Sequence, residues 1–156
     1  MPKKLDKNEN LTIRGHLTIS AFRGGRLVRK RGPFPNKVVM SSGYGRNIVA
    51  RQLAGDTTYP IEIDSASVGD DNTAPADGNT DLGNALVTDI PITNKSAVNA
   101  VITVDVFVAD GNLPDDIYEE FGLYCDGRLF SRIIISPAYT KASGEDTLFT
   151  YELTLT

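Results

Sequence analysis

Residues 61–86 read IEIDSASVGDDNTAPADGNTDLGNAL, a stretch in which an alternating pattern runs into a polar segment and then into a second apolar one. Apolar Ile61 and Ile63 alternate with acidic residues, which is typical of a half-buried strand. Residues 69–80 are rich in Asp, Asn, Gly and Pro, which favour turns. The stretch therefore predicts two strands joined by a long loop, in a chain built mainly of β structure.

The charge of the chain changes sign just before this stretch. Residues 1–51 contain 12 Lys and Arg against 2 acidic residues, a net charge of +10, whereas residues 52–156 contain 4 against 18, a net charge of −14. Such asymmetry indicates an electrostatic partner. The basic part could contact nucleic acid or an acidic neighbouring copy, or both parts could be solvated surfaces. The acidic remainder and the few aromatic residues in the basic part argue against nucleic acid.

The N-terminal region divides into an arm and a hairpin. Residues 1–10 are charged and contain a single leucine, Leu5, so we predict a flexible arm. Residues 11–31 alternate apolar with polar side chains and turn at Gly24-Gly25, which predicts a projecting basic hairpin. Two prolines in the following RGPFPN should end its returning strand. The candidate subunit-interface residues are the hairpin cations: Arg23, Arg26, Arg29, Lys30 and Arg31.

The rest of the chain predicts one helix and further strands. The helix should cover residues 43–54, with Ser41 or Ser42 as its N-cap and Gly55 just beyond its end. A tight turn at Asp126-Gly127 predicts a hairpin. Strands are expected at residues 61–68, 85–92, 97–109, 117–124, 128–135 and 147–156. We expect a single domain over residues 11–156, an antiparallel β-sandwich of seven to nine strands with one short helix and an extended basic N-terminal arm and hairpin.

Few side chains suit catalysis. His16 is the only histidine and Cys125 the only cysteine, so no intrachain disulfide can form. We expect His16 to lie on the surface and Cys125 to be a structural thiol, because a nucleophile requires a base within hydrogen-bond reach. The chain also lacks the roughly 18 consecutive apolar residues of a membrane span. The sequence therefore predicts a protein that is not an enzyme, binds no cofactor and does not enter membranes.

One loop has the beginning of a calcium-binding pattern. Asp77, Asn79 and Asp81 have the spacing that opens an EF-hand loop. Leu82 stands where that loop requires glycine, and Thr88 stands where it requires a bidentate glutamate. The three residues are therefore a weak calcium candidate, and turns stabilised by their own side chains are the alternative.

Several short motifs occur in an order that resembles small structural proteins of tailed bacteriophages. They are the NxxARxLAG-like residues Asn47, Ala50, Arg51, Leu53, Ala54 and Gly55, then Val68-Gly69, Thr73-Ala74-Pro75, Asp81-Leu82-Gly83, Glu120-Phe121-Gly122-Leu123, Asp126-Gly127-Arg128-Leu129-Phe130-Ser131-Arg132, and a Thr-rich final strand. The resemblance covers about residues 40–156 and includes tail, fibre and head-decorating components.

The resemblance implies a non-enzymatic β-rich protein that is made in the host bacterial cytoplasm and becomes part of the virion. Its partners would be other virion proteins and copies of itself, in a homo-oligomer. A tail-associated assembly component is the first expectation, with the arm and hairpin reaching a neighbouring subunit. Removing residues 1–31 should then leave a folded domain that no longer multimerises. The alternatives are a capsid decoration protein and a module that binds a host receptor or glycan through an outward-facing loop 69–80.

Overall fold

The computed structural model describes residues 10–156, so residues 1–9, nearly all of the predicted arm, lie outside the described part. The predicted mainly β fold with one helix is confirmed. The elements in chain order are β1 (Ile13–Arg23), β2 (Arg26–Val38), α1 (Arg46–Leu53), β3 (Ser65–Gly69), β4 (Ala85–Pro91), β5 (Asn94–Val98), β6 (Val101–Val108), a 3₁₀ turn (Asp110–Asn112), β7 (Ile117–Cys125), β8 (Arg128–Thr140) and β9 (Asp146–Leu155).

The nine strands form one antiparallel sheet that curls into a half-barrel, in the order β4-β3-β7-β8-β2-β1-β9-β6-β5. Strand β2 joins the two halves, because it pairs with β1 along most of its length while residues 36–38 pair with residues 131–133 of β8. The predicted number of seven to nine antiparallel strands is met at its upper limit. The predicted sandwich of two sheets is not observed, because this joint keeps the sheet continuous.

The hydrophobic core lies on the inner, concave face of the curled sheet. The Phe121 ring of β7 and the Phe149 ring of β9 have centroids 5.0 Å apart, although three strands separate β7 from β9 in the sheet. The Tyr151 ring lies 6.3 Å from that of Phe121. Alternate residues of the strands therefore meet across the curl, as they do between the layers of a sandwich.

The basic hairpin does not project from the sheet. Strand β1 pairs with β9 from Ile13 to Phe22 and with β2 on its other side. Its residues Leu17, Ile19 and Ala21 are completely buried in the core. The hairpin is thus the middle of one half of the sheet, because its alternating apolar residues form part of the core.

Strand β2 also continues through the prolines that were expected to end it. Residues 26–35 pair with β1 on one side, and β8 pairs only with residues 36–38. Pro33 and Pro35 lack an N–H group. In a segment that is paired on one side only, a proline costs no ladder hydrogen bond where its nitrogen faces the unpaired side. The register shift between Leu17 and Ile19 absorbs the irregular segment around Pro33.

The helix is shorter than predicted at its start and ends as predicted. Gly45 occupies the N-cap position, and neither serine caps the helix through its side chain. At the other end, the Gly55 N–H donates to the Gln52 carbonyl at 3.0 Å and the Asp56 N–H donates to the Arg51 carbonyl at 2.8 Å. This is a Schellman motif with Gly55 at a φ of 81°. Within residues 10–156, no helix is both long and apolar enough to cross a membrane.

Three strand predictions differ from the structure. Residues 97–109, predicted as one strand, contain the turn of the β5–β6 hairpin, because Asn99 has a φ of 52° and reverses the chain. Strand β3 begins at Ser65, four residues later than the pattern at Ile61 indicated. Strand β8 extends to Thr140, well into the segment expected to be a loop, since its pairing with β7 continues to Ile117.

Candidate interaction surface

Two of the five predicted interface cations form ion pairs within the same chain. An Arg23 guanidinium nitrogen lies 3.4 Å from the Glu145 carboxylate, and Arg29 pairs with the other oxygen of that carboxylate. Arg29 also donates to the Thr140 carbonyl at 3.0 Å and lies 5.4 Å from the centre of the Tyr139 ring. Because the Glu145 side chain is nearly buried, these contacts attach the hairpin to the loop between β8 and β9.

The other three cations have no carboxylate partner within residues 10–156. Arg31 donates to the Pro137 carbonyl at 2.9 Å. Arg26 and Lys30 are exposed and form no ion pair in that range. Lys30 lies opposite Ser20, whose neighbours in the strand, Ile19 and Ala21, face the core. The Lys30 side chain therefore belongs to the outer, convex face of the sheet.

The same outer face carries four large apolar side chains, which we call the outer stripe: Phe22, Leu27, Leu148 and Phe107. Phe22 lies opposite Leu27 across the β1–β2 pair, and Leu148 lies opposite Phe107 across the β9–β6 pair. Leu148 also lies opposite Ser20, two residues from Phe22. The stripe thus runs diagonally across four strands, at a spacing that allows neighbouring large side chains to meet.

The two ends of the outer stripe are the most exposed. Leu27 is 54% exposed and Phe107 is 45% exposed, whereas Phe22 and Leu148 are half-buried. Lys30 lies in the same cross-strand row as Leu148 and Phe107. Contiguous exposed apolar side chains that border polar residues are typical of interaction sites. The stripe and its adjacent cations, Arg26 and Lys30, form the candidate interaction surface.

The remainder of this outer face is polar. Thr18 lies opposite Thr150, and Thr103 lies opposite Glu152. His16 is half-exposed, and its Nε2 atom lies 2.8 Å from the Glu152 carboxylate. The predicted surface position of His16 is thus observed, with a carboxylate neighbour on the adjacent strand.

On the other half of the sheet, the polar loop between β3 and β4 packs over the outer face of β7 and β8. Its anchor is an almost completely buried ion pair, in which Arg132 Nε donates to the Glu120 carboxylate at 2.9 Å. Arg132 also donates to Asp71 of the loop at 2.8 Å. The Glu120 carboxylate accepts the backbone N–H groups of Gly83 at 2.9 Å and Asn84 at 2.8 Å.

Glycines allow this loop to approach the strands closely. A Cβ atom on Gly122 would lie 2.9 Å from a methyl group of Leu82, and one on Gly83 would lie 1.9 Å from the Asp71 carboxylate. Residues of the Asp81-Leu82-Gly83, Glu120-Phe121-Gly122-Leu123 and 126–132 motifs therefore meet at one structural junction. Their observed contacts hold the loop against the sheet.

The helix motif also makes structural contacts. The Asn47 side-chain carbonyl accepts the Gly43 N–H at 2.8 Å and Arg51 Nε at 2.7 Å. Arg51 pairs with Asp56 at 2.7 Å. The Thr58 hydroxyl and N–H, together with Arg51, lower the pKa of Asp56 from 3.8 to about 2. These contacts fix the end of the helix to the segment that follows it.

The three calcium candidates each have partners of their own. Asp77 pairs with Lys37 at 3.0 Å and with Arg46 at 2.6 Å. The side-chain carbonyl of Asn79 accepts the Ala76 N–H at 2.8 Å, and an Asp81 carboxylate oxygen accepts the Tyr124 hydroxyl at 2.6 Å. No cluster of three or more His, Cys, Asp and Glu side chains that could hold a metal ion occurs in residues 10–156. These contacts match the alternative of a loop held by its own side chains.

A second surface, which we call the acidic edge, consists of Asp70, Leu86, Asp116, Ile117 and Glu119. In the sheet, Gly69 lies opposite both Glu120 and Ala85. In the sequence, Asp70 follows Gly69, Glu119 precedes Glu120 and Leu86 follows Ala85. Ile117 is 50% exposed, and the other four side chains are exposed or half-buried. No Lys or Arg in residues 10–156 pairs with the three carboxylates of this edge.

Lys141 and Cys125 are two further ionisable side chains that are buried in the fold. Lys141 has a completely buried side chain that pairs with Asp115 at 2.7 Å and also with Asp110. Burial disfavours its charged form, but the two carboxylates outweigh that effect and raise the pKa of Lys141. Burial raises the pKa of the Cys125 thiol to about 12. The Cys125 side chain is completely buried, in agreement with the prediction of a structural thiol.

The outer stripe and the buried ion pairs were missed by sequence reasoning. Phe22 and Phe107 were recognisable as residues on the polar side of their strands, but only the strand order places them beside Leu148 and Leu27. Nothing in the sequence pairs Glu120 with Arg132, because the two lie on adjacent strands in a register set by a bulge.

Comparison with known proteins found no match to this chain among protein-family models, curated proteins or solved structures.

Proposed function

We propose that this chain is a structural protein of a tailed bacteriophage particle, a tail-associated component that assembles through contacts between its subunits. The sequence motifs supply the phage context by resemblance alone. The observation that carries the assembly role is the outer stripe, four apolar side chains in a diagonal row beside the cations Arg26 and Lys30. Burying such a row against another subunit removes apolar area from water, at roughly 25 cal/mol per Å².

The character of this surface supports a protein partner. Interface cores are enriched in aromatic residues and depleted of charge, while their rims are polar. The outer stripe has two phenylalanines at its centre and one end, and its surroundings are threonines and charged residues. Within residues 10–156, a nucleic acid would meet few free cations on this surface, because Arg23 and Arg29 are already bound to Glu145 and Arg31 donates to a carbonyl.

The receptor-binding alternative receives less support from the loop between β3 and β4. That alternative needs an exposed aromatic platform near the loop, and Tyr59 is the aromatic residue that lies closest before the loop in the sequence. The Arg128 guanidinium lies 4.1 Å from the centre of the Tyr59 ring and that of Arg51 lies 5.2 Å from it. The face of this ring is therefore engaged by arginine rather than free to stack on a sugar.

The test is the mass of the full chain in solution, measured by light scattering at low and at high salt. We expect a defined multimer at low salt whose mass falls at about 1 M salt, where charges are screened within about 3 Å. A monomer at every salt concentration and at every protein concentration tested would contradict the proposal.

Deletion of residues 1–31 cannot test assembly. That deletion removes all of β1 and part of β2, including the buried Leu17, Ile19 and Ala21. The remaining chain should fail to fold, so its failure to multimerise would carry no information. Substitutions on the outer face leave the core intact and are the appropriate variants.

A further inference from the structure

We infer that the outer stripe docks on the acidic edge of a second copy of this chain. This inference rests on the proposed assembly role and names the two surfaces that meet. The stripe combines Leu27 and Phe107 with the cations Arg26 and Lys30 at its β2 end, while Asp146 and Asp105 lie on the same face near β9 and β6. The edge combines Leu86 and Ile117 with the carboxylates of Asp70, Asp116 and Glu119.

The charges identify the occupant. Among the cations beside the stripe, the ion pairs within residues 10–156 use Arg23 and Arg29 and leave Arg26 and Lys30 with no carboxylate. In the same part of the chain, Asp116 and Glu119 have no Lys or Arg partner. Unpaired charges of opposite sign on two apolar surfaces are complementary, and such complementarity fixes the orientation of docking and speeds encounter. A second copy supplies the missing partners of both surfaces at once.

The placement of the surfaces determines the kind of assembly. The stripe lies on the half of the sheet formed by β2, β1, β9 and β6, whereas the acidic edge lies on β4, β3 and β7 at the other half. The stripe and the edge are different surfaces of the chain, although β6 and β4 come close where Phe107 and residues 87–91 line one cavity. Contact between unlike surfaces is heterologous, and it repeats from copy to copy into a ring or an open filament.

Charge reversal tests the pairing. Variant A carries Arg26→Glu and Lys30→Glu, and variant B carries Asp116→Lys and Glu119→Lys. We expect each to weaken self-association at low salt by at least about tenfold, because like charges then face each other. A chain with all four reversals should recover association, since the two surfaces are complementary again. Self-association is measured by sedimentation velocity over a range of protein concentrations.

Three further variants separate the stripe from a general charge effect. Arg14→Glu makes the same charge change as Lys30→Glu on an exposed residue of β1 opposite Thr154, away from the stripe. It should leave association unchanged, whereas Lys30→Glu should weaken it. Leu27→Ser with Phe107→Ser should also abolish association while preserving the circular dichroism of the folded chain, because both residues are exposed.

The outcomes distinguish this inference from the proposal beneath it. If the unmodified chain is a monomer, the assembly role itself is wrong. If the unmodified chain multimerises but variants A and B associate as well as it does, assembly uses other surfaces and only this inference is overturned. Failure of the four-reversal chain to recover association, with its fold intact, would likewise overturn the pairing of stripe with edge.

Discussion

At the residue scale, Arg132 is the charge on which the polar loop most depends. Its side chain is 2% exposed and pairs with Glu120, which is completely buried. Removing one member of a buried ion pair leaves the other charge without compensation, which typically costs about 3–5 kcal/mol, whereas replacing both members is often much less costly. The pair therefore orders the loop between β3 and β4 against the sheet, whatever its net contribution to stability.

Substitution of this pair gives a direct prediction. Arg132→Met should lower the free energy of unfolding by about 3–5 kcal/mol. The double variant Glu120→Gln with Arg132→Met should be less destabilised than the single one, because no buried charge remains. Urea denaturation followed by circular dichroism measures both.

The matched control is Lys95→Met, which breaks the exposed pair with Glu62 and should change stability much less. An Arg132→Met variant as stable as the unmodified chain would show that the buried pair has no structural role.

The carboxylates predict how stability depends on pH. The pKa of Asp56 is lowered from 3.8 to about 2, mainly by its hydrogen bond from the Thr58 hydroxyl. Because the folded form has the lower pKa, its stabilisation is present above about pH 4 and is lost as pH falls through about 2. The pKa values of four other carboxyl groups are lowered with the same sign: Glu62, Asp71, Asp77 and Asp110.

We therefore expect the urea midpoint to fall steadily between about pH 4 and about pH 2. Asp56→Asn should be less stable than the unmodified chain at pH 7 and should lose less of its stability over that range. A midpoint that is independent of pH below 4 would contradict the assigned hydrogen bonds.

At the element scale, turns were predicted better than strand ends. The turns at Gly24-Gly25, Gly55 and Asp126-Gly127 were assigned from sequence, and all five residues have positive φ in the structure. None of these turns needed a tertiary contact to be recognised. Backbone conformations of this kind depend on the residue type itself. The extent of β2 and β8 and the division of residues 97–109 into two strands depend on pairing partners, which the local pattern does not contain.

The end of α1 provides a matched pair of glycines for a test. Gly55 has a φ of 81°, whereas Gly78 lies outside the positive range, and an added Cβ would meet no atom within 4 Å at either position. Gly55→Ala should therefore cost about 1–2 kcal/mol through the backbone alone. Gly78→Ala should be neutral or slightly stabilising.

Thermal denaturation of the two variants measures this difference. Equal stability of Gly55→Ala and the unmodified chain would mean that the helix ends differently from the Schellman motif described above.

At the scale of the whole molecule, composition and alternation were sufficient for the β class, the single helix and the long polar loop. The joining of the two halves into one sheet was not predictable, because it depends on three residue pairs between β2 and β8 that have no distinct sequence signal. The charge asymmetry was also interpreted only in part. Arg23 and Arg29 neutralise Glu145 within the chain, so the charge left for a partner is smaller than the sequence totals indicate.

Mixing variants A and B tests the central claim most directly. Alone, each should have the 16.9 kDa mass of one chain, because both of its surfaces then carry the same sign of charge. In an equimolar mixture, each surface of one variant is complementary to a surface of the other, and light scattering should show assemblies in which the two alternate. A mixture that stays at the mass of one chain, while the unmodified protein multimerises, would contradict docking of the outer stripe on the acidic edge.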